Sequence, residues 1–125
     1  ISRGLVGSEM CIRDSYMYRM DHAWKRHRNW MAPGVELQRL PSEYFAEHIY
    51  TTFQDDWTAF RVAEQMNWRR LMWANDFPHS DSTWPWSQEM LVEHTAHLTD
   101  EMTQAILSGN VSDLYQINTD VLSAV

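Results

Sequence analysis

RLMWANDFPHSDSTWPW, at positions Arg70–Trp86, begins as an apolar run and changes abruptly into a polar loop. Its first part, Leu71–Ala74, has the length and composition of a buried strand. Polar side chains then crowd into seven positions, at Asp76, His79, Asp81 and Ser82. A strand end positions such side chains rigidly, while the loop leaves them open to a ligand. The stretch therefore predicts a functional site at the end of a buried strand.

A second strand and a helix precede this stretch. Residues His48–Phe53 are rich in aromatic and β-branched side chains, which predicts a strand ending at Gln54 and Asp55. Asp56 is the preferred N-cap of a helix over Trp57–Met66, whereas Asp55 fits a cap or a site equally well. A strand, a helix and a strand in this order form a βαβ unit with parallel strands. The loops after both strands should thus open on the same side.

Further helices are predicted on both sides of this unit. Before it, apolar residues recur every three or four positions over Tyr16–Trp30, as in an amphipathic helix, and Pro41–Phe45 starts a helical turn. After it, Ser87 is the predicted N-cap of one helix and Thr99 that of another. Gly109 is expected to terminate the second of these helices, with a short turn beyond it.

Composition limits the class of protein. One domain is the natural prior for 125 residues, and 44% hydrophobic content is ample for a core. The net charge of -7 argues against nucleic acid as a partner, since phosphate binding relies on clustered Lys and Arg. The basic run Lys25–Arg28 is interpreted as a solvated helix end, where cations suit the helix dipole. No apolar run approaches the ~20 residues that span a bilayer, so no membrane partner is predicted.

The two ends of the chain are treated separately. Residues Ile1–Ser15 fit no helix period and resemble a translated sequencing adapter from metagenomic reading frames, so they are excluded from the fold argument and expected to be disordered. A genuine disordered tail is the alternative. Without them the chain has no cysteine, because Cys11 is the only one, and this fits a reducing, cytoplasmic location. Residues 118–125 are predicted to be a frayed tail.

The string WANDFPHSDSTWP at positions 73–85 resembles the last barrel strand and the following loop of the amidohydrolase-related family, which contains metal-dependent hydrolases and decarboxylases. The resemblance covers residues 16–117 and includes Arg19–Asp21, Pro41–Phe45, Thr52–Asp56 and Gly109–Tyr115. It implies an α/β fold built on a (β/α)8 TIM barrel, which takes about 250 residues. The chain is therefore expected to be the C-terminal part of such a barrel, with its last two parallel strands and surrounding helices, and helix-rich as a fragment.

By this resemblance Asp76 is the catalytic residue and a metal ligand, which accepts the proton of an activated water. A carboxylate suits this role because it is ionised at neutral pH, binds a divalent cation and can accept a proton. The alternative is that Asp76 caps a turn before Pro78. Zinc is the preferred ion, and manganese, iron and magnesium remain open.

Other residues are candidates for substrate binding or for orienting a ligand, namely His79, Asp81, Ser82, Gln54 and Asp55. For the three that follow Asp76, an ordinary turn with self-satisfied side chains is an equal alternative. Trp84–Trp86 is expected to roof the loop by packing. Asn75 and Trp86 depart from the family pattern, which bears on substrate preference and not on the fold.

The resemblance implies a small-molecule substrate, with hydrolysis of a C–N, C–O or C–C bond or decarboxylation. The histidines that earlier barrel strands contribute to such a site are absent, so the chain is expected to be inactive by itself. A homo-oligomer is open for the longer enzyme. The competing interpretation is a small, non-enzymatic helical module whose Trp-rich loop binds a protein partner, because Trp is enriched at binding hot spots.

Overall fold

The computed structural model describes residues 9–30, 34 and 36–118. Among them, two short strands form a parallel sheet and helices make up most of the remaining structure. In chain order the elements are α1 (Glu9–His27), a 3-10 turn (Arg28–Trp30), α2 (Pro41–His48), β1 (Thr51–Phe53), α3 (Trp57–Arg61), a 3-10 turn (Trp68–Arg70), β2 (Leu71–Trp73), α4 (Ser87–Thr95), α5 (Asp100–Gln104), a π-helical segment (Ala105–Gly109) and α6 (Asn110–Tyr115).

The sheet confirms the predicted βαβ unit. β1 and β2 pair in parallel, with Thr51 opposite Leu71 and Phe53 opposite Trp73, and α3 lies between them in the chain. Pairing continues past β2, because the Ala74 N–H donates to the Phe53 carbonyl (3.0 Å). Parallel neighbours run in the same direction, so the segments that follow both strands leave the sheet at the same edge.

β1 is shorter than the strand predicted over His48–Phe53. The helix α2 begins at Pro41 and continues through His48, and the Ile49 N–H still donates to the Phe45 carbonyl (2.9 Å). Proline at the first helical position is pre-organised for a helix. The helix that starts there therefore outweighs the β propensity of the residues after it.

The core lies between the sheet and the helices that follow each strand. The Phe60 side chain is fully buried and packs edge-on against Phe53, with ring centroids 5.0 Å apart. α3 ends at Arg61 rather than at the predicted Met66, and residues 62–67 form turns. Phe60, Ala63 and Met66 of this segment are nevertheless buried.

Polar side chains fix the amino ends of both strands. Arg70 donates to the Tyr50 hydroxyl (2.7 Å), which joins the segment before β1 to the start of β2. The buried Asn110 amide donates to the carbonyls of Trp68 and Leu71, both at 2.7 Å. These bonds tie α6 and the chain before β1 to the amino end of β2. The opposite, carboxyl end of the sheet carries the polar loop.

The predicted caps have mixed outcomes. The Asp56 carboxylate accepts a backbone N–H in the first turn of α3 (3.1 Å), and the Thr99 hydroxyl does the same for α5 (3.3 Å), so both are confirmed. Ser87 is the first residue of α4 rather than its N-cap, because its hydroxyl is engaged with that of Thr83 (2.9 Å).

Gly109 does not terminate the helix, contrary to the prediction. The π-helical segment continues directly into α6, and Gly109 has a helical φ of -60°. The helix ends only at Gln116, whose backbone is left-handed with φ 53°. The bonds from Asn110 to β2 account for this, because they hold the next helical residue against the sheet.

α1 begins at Glu9, so residues 9–15 are helical rather than disordered. They include good helix formers such as Met, Arg and Glu, which allow the helix to extend toward the N-terminus. Residues 1–8 and 119–125 lie outside the described part of the chain, and the adapter interpretation stays a prediction. Asp21 joins α1 to α2, since its carboxylate accepts the Ser42 N–H (2.9 Å) and hydroxyl (2.6 Å).

The basic run Lys25–Arg28 lies in the last turn of α1 and at the start of the 3-10 turn that follows, and its side chains are exposed as predicted. Over the residues that the structure covers, each helix is too short or too polar to cross a lipid bilayer.

Candidate functional site

Asp76 lies just beyond β2, at the carboxyl end of the sheet. Its backbone is in the left-handed region with φ 57°, which is uncommon for a residue other than glycine, although Asp tolerates it. Its side chain is 43% exposed. Residues held in sparsely populated backbone regions cluster at functional sites. The turn therefore presents the Asp76 carboxylate outward, where a ligand can reach it.

His79 lies beside this carboxylate. Its Nδ1 is 3.6 Å from Asp76 Oδ2, and its backbone N–H donates to the Asp76 carbonyl (2.8 Å). The same Nδ1 accepts the Asp81 N–H (3.4 Å). The structure thus brings an imidazole and a carboxylate together.

Hydrogen bonds within the loop fix its shape. The Ser82 hydroxyl donates to the Asn75 carbonyl (2.7 Å) and accepts the Trp84 N–H (3.1 Å). Asn75 also accepts the Thr83 N–H at its carbonyl (3.3 Å) and the Phe77 N–H at its side chain (3.2 Å). Ser82 therefore serves the turn itself. This role of Asn75 was not predicted from the sequence. It could have been, because an Asn side chain often accepts the backbone N–H two residues further along the chain.

Gln54 reaches this loop from the end of β1. Its side chain is 3% exposed, and Nε2 donates to the Asp81 carbonyl. The Gln54 carbonyl in turn accepts the Trp73 indole N–H (2.9 Å). Asp55, the other candidate on this strand end, is exposed and makes none of the contacts described for the loop. The structure therefore brings Gln54 and the backbone of Asp81 together, while the side chains of Asp55 and Asp81 point to solvent.

The tryptophans do not roof the loop, contrary to the prediction. Trp84 is 60% and Trp86 70% exposed, and Phe77 is similarly open. Trp84 packs edge-on against Phe77, with ring centroids 5.9 Å apart. Both partners belong to the same surface loop, so their contact forms an exposed aromatic pair instead of a buried cover.

The donor chemistry at Asp76 fits part of a metal site. Its carboxylate and the His79 imidazole are both ligand types that zinc accepts, and they lie within 3.6 Å of each other. Residues 9–30, 34 and 36–118 contain no group of three His, Cys, Asp or Glu side chains placed to hold an ion. A catalytic zinc site uses about three protein ligands. Further ligands would have to come from outside the described residues.

A model of the amidohydrolase family matches residues 19–117, which include both strands and the whole Asp76 loop. The chain belongs to the amidohydrolase family. The family prediction made from the loop string is thereby confirmed. No curated protein matches the chain. The family is built on a TIM barrel, and the helix-rich α/β structure with two parallel strands agrees with that fold class.

Proposed function

We propose that this protein is part of a metal-dependent enzyme of the amidohydrolase family, in which Asp76 is the catalytic residue and a metal ligand. The observation that supports this is the position of Asp76. It lies in the turn just past a strand of a parallel pair, at the carboxyl end, with an unusual backbone conformation and a carboxylate open to a ligand. In TIM barrels the active site lies at that end of the strands.

The chain would hold the ion through Asp76, with His79 beside it. When bound, a divalent ion supplies a Lewis acid that activates water or polarises a substrate. Asp76 would also be the proton acceptor, because an ionised carboxylate can take a proton. His79 Nδ1 lies 3.6 Å from Asp76 Oδ2. Zinc is the first choice of ion, with manganese, iron and magnesium as alternatives.

The proposal covers a small-molecule substrate and either hydrolysis or decarboxylation. β1, α3 and β2 would be the last two strands of the barrel with their connecting helix, and earlier strands of a longer protein would supply further ligands. The chain as given would be inactive, because Asp76 and His79 are two donors where about three protein ligands are needed.

The test is zinc binding by the purified chain, measured by calorimetric titration. Asp76→Asn removes the charge with little change in size, and we expect zinc affinity to fall at least tenfold, on the order of the loss for perturbing a metal site. The matched control is Asp113→Asn, which makes the same change at an exposed position of α6 and should leave the affinity unchanged. Equal affinity in the parent and both variants would refute the role of Asp76.

The second candidate is a non-enzymatic interaction module, and the exposure of the aromatic loop favours it. Phe77, Trp84 and Trp86 are each more than half exposed around the same loop, and exposed aromatic patches mark interaction sites. This candidate predicts that Asp76→Asn leaves the zinc affinity unchanged. It also predicts concentration-dependent association in sedimentation velocity that is lost in Trp84→Ser but kept in Trp30→Ser, a change at another exposed tryptophan.

A further inference from the structure

Gln54 is a buried polar residue that links two separate parts of the candidate site. It directly follows β1, yet its side-chain amide bonds to the Asp81 carbonyl, 27 residues further along the chain. The other hydrogen bonds described above for the loop join its residues to each other or, through Thr83, to the start of α4. The Gln54 bond instead attaches the loop to the neighbouring strand end.

We propose that Gln54 is a positioning residue for Asp76, an inference that rests on the proposed function of that carboxylate. Its N–H holds Asp81 at the carboxyl end of the sheet. Asp81 in turn donates its backbone N–H to His79 Nδ1, and the His79 backbone donates to the Asp76 carbonyl. A chain of hydrogen bonds therefore leads from β1 to the residue that would bind the ion.

The other atom of the Gln54 amide supports this role. Oε1 is buried and has no hydrogen-bond partner among the residues that the structure describes. An unsatisfied buried acceptor is unfavourable, and native proteins keep few of them. The orientation of the amide is thus set by the donor on Nε2 and its bond to the loop.

Two substitutions separate the donor from the rest of the side chain. Gln54→Glu keeps the shape but replaces the side-chain N–H by a carboxyl group, and Gln54→Met removes side-chain hydrogen bonding at similar size. The matched control is Gln65→Glu, the same change at an exposed position in the turns after α3. The readout is amide hydrogen exchange of residues 77–84 by mass spectrometry, with each rate divided by that of the parent protein at the same pH.

Protonation of the introduced carboxyl group provides an internal rescue. Burial beside a carbonyl raises the pKa of a carboxyl group, so at pH 5 it can donate O–H to Asp81, while at pH 8 it is charged and repels the carbonyl. We expect Gln54→Glu to accelerate loop exchange about tenfold at pH 8, the scale of losing one hydrogen bond, and to restore the parent rate at pH 5. Gln54→Met should accelerate loop exchange at both pH values, and Gln65→Glu should accelerate it at neither.

The outcomes are distinct. Unchanged loop exchange in both Gln54 variants would overturn the proposal, as would acceleration spread equally over α4 and α5, or acceleration of Gln54→Glu that does not depend on pH. Zinc titration at pH 8 gives the link to Asp76, because affinity should fall in both Gln54 variants and not in Gln65→Glu. If Asp76→Asn keeps the zinc affinity of the parent chain, the proposed function fails, while the exchange rates still decide whether Gln54 holds the loop.

Discussion

Replacing Asn110 by alanine should destabilise the protein by about 2–4 kcal/mol, because two buried hydrogen bonds are lost together. The Asn110 amide donates to the carbonyls of Trp68 and Leu71 at 2.7 Å, and the residue is 6% exposed. Each such bond contributes about 0.5–1.5 kcal/mol net, and losing the partner of a buried carbonyl adds roughly 1 kcal/mol. The lower part of this range applies if water enters the space left by the side chain.

The assay is urea unfolding followed by circular dichroism, with the denaturant slope checked for constancy. Asn67→Ala is an internal scale, since Asn67 makes a single bond, to the Ala46 carbonyl (2.9 Å), and should cost about half as much. Asn29→Ala, at an exposed position, is the control and should be close to neutral. A cost for Asn110→Ala no larger than for Asn29→Ala would refute the conclusion that these bonds hold α6 against β2.

Two further predictions concern the helices before the sheet. Asp21→Ala removes the acceptor of two hydrogen bonds from Ser42 at the start of α2, and should lower the free energy of unfolding by about 1 kcal/mol in the same assay. The Arg39 guanidinium, hydrogen-bonded to Glu47, holds the pKa of that carboxyl below its usual 4.5. Because the pKa of Glu47 is lower in the folded protein than in the unfolded chain, the ionised carboxylate stabilises the fold. The stability advantage over Glu47→Gln should therefore be complete above pH 4.5, the unfolded value, and disappear as the pH falls through the lower pKa of the folded protein. It should also shrink with added salt, because both side chains are nearly half exposed, and an advantage that grows in acid would contradict the assignment.

Much of the local structure was predictable because its causes lie close together in the chain. The apolar run at Leu71 and the β-branched residues before Gln54 marked two strands, and the helix between them required those strands to be parallel. Asp56 and Thr99 cap helices through bonds within one turn, which a sequence pattern records directly. The position of Asp76 at a strand end follows from the same local reasoning.

The errors concern elements whose ends depend on distant contacts. A glycine after an apolar stretch suggested that the helix stops at Gly109, yet bonds from Asn110 to the start of β2 carry it on to Gln116. Trp84 was expected to pack over the loop, but it is exposed. Whether a loop side chain is covered depends on distant parts of the fold, which the spacing of apolar residues does not record.

The residues of this chain therefore specify the family, the βαβ order and the carboxylate offered at the end of β2, because those depend on short-range patterns and on a long matching string. The arrangement around that carboxylate required the folded structure. The Gln54 amide meets Asp81 across 27 positions, and Asn110 meets Leu71 across 39. Propensity and spacing describe neighbours within a turn or a pleat, so contacts between residues this far apart arise only when the sheet and helices pack together.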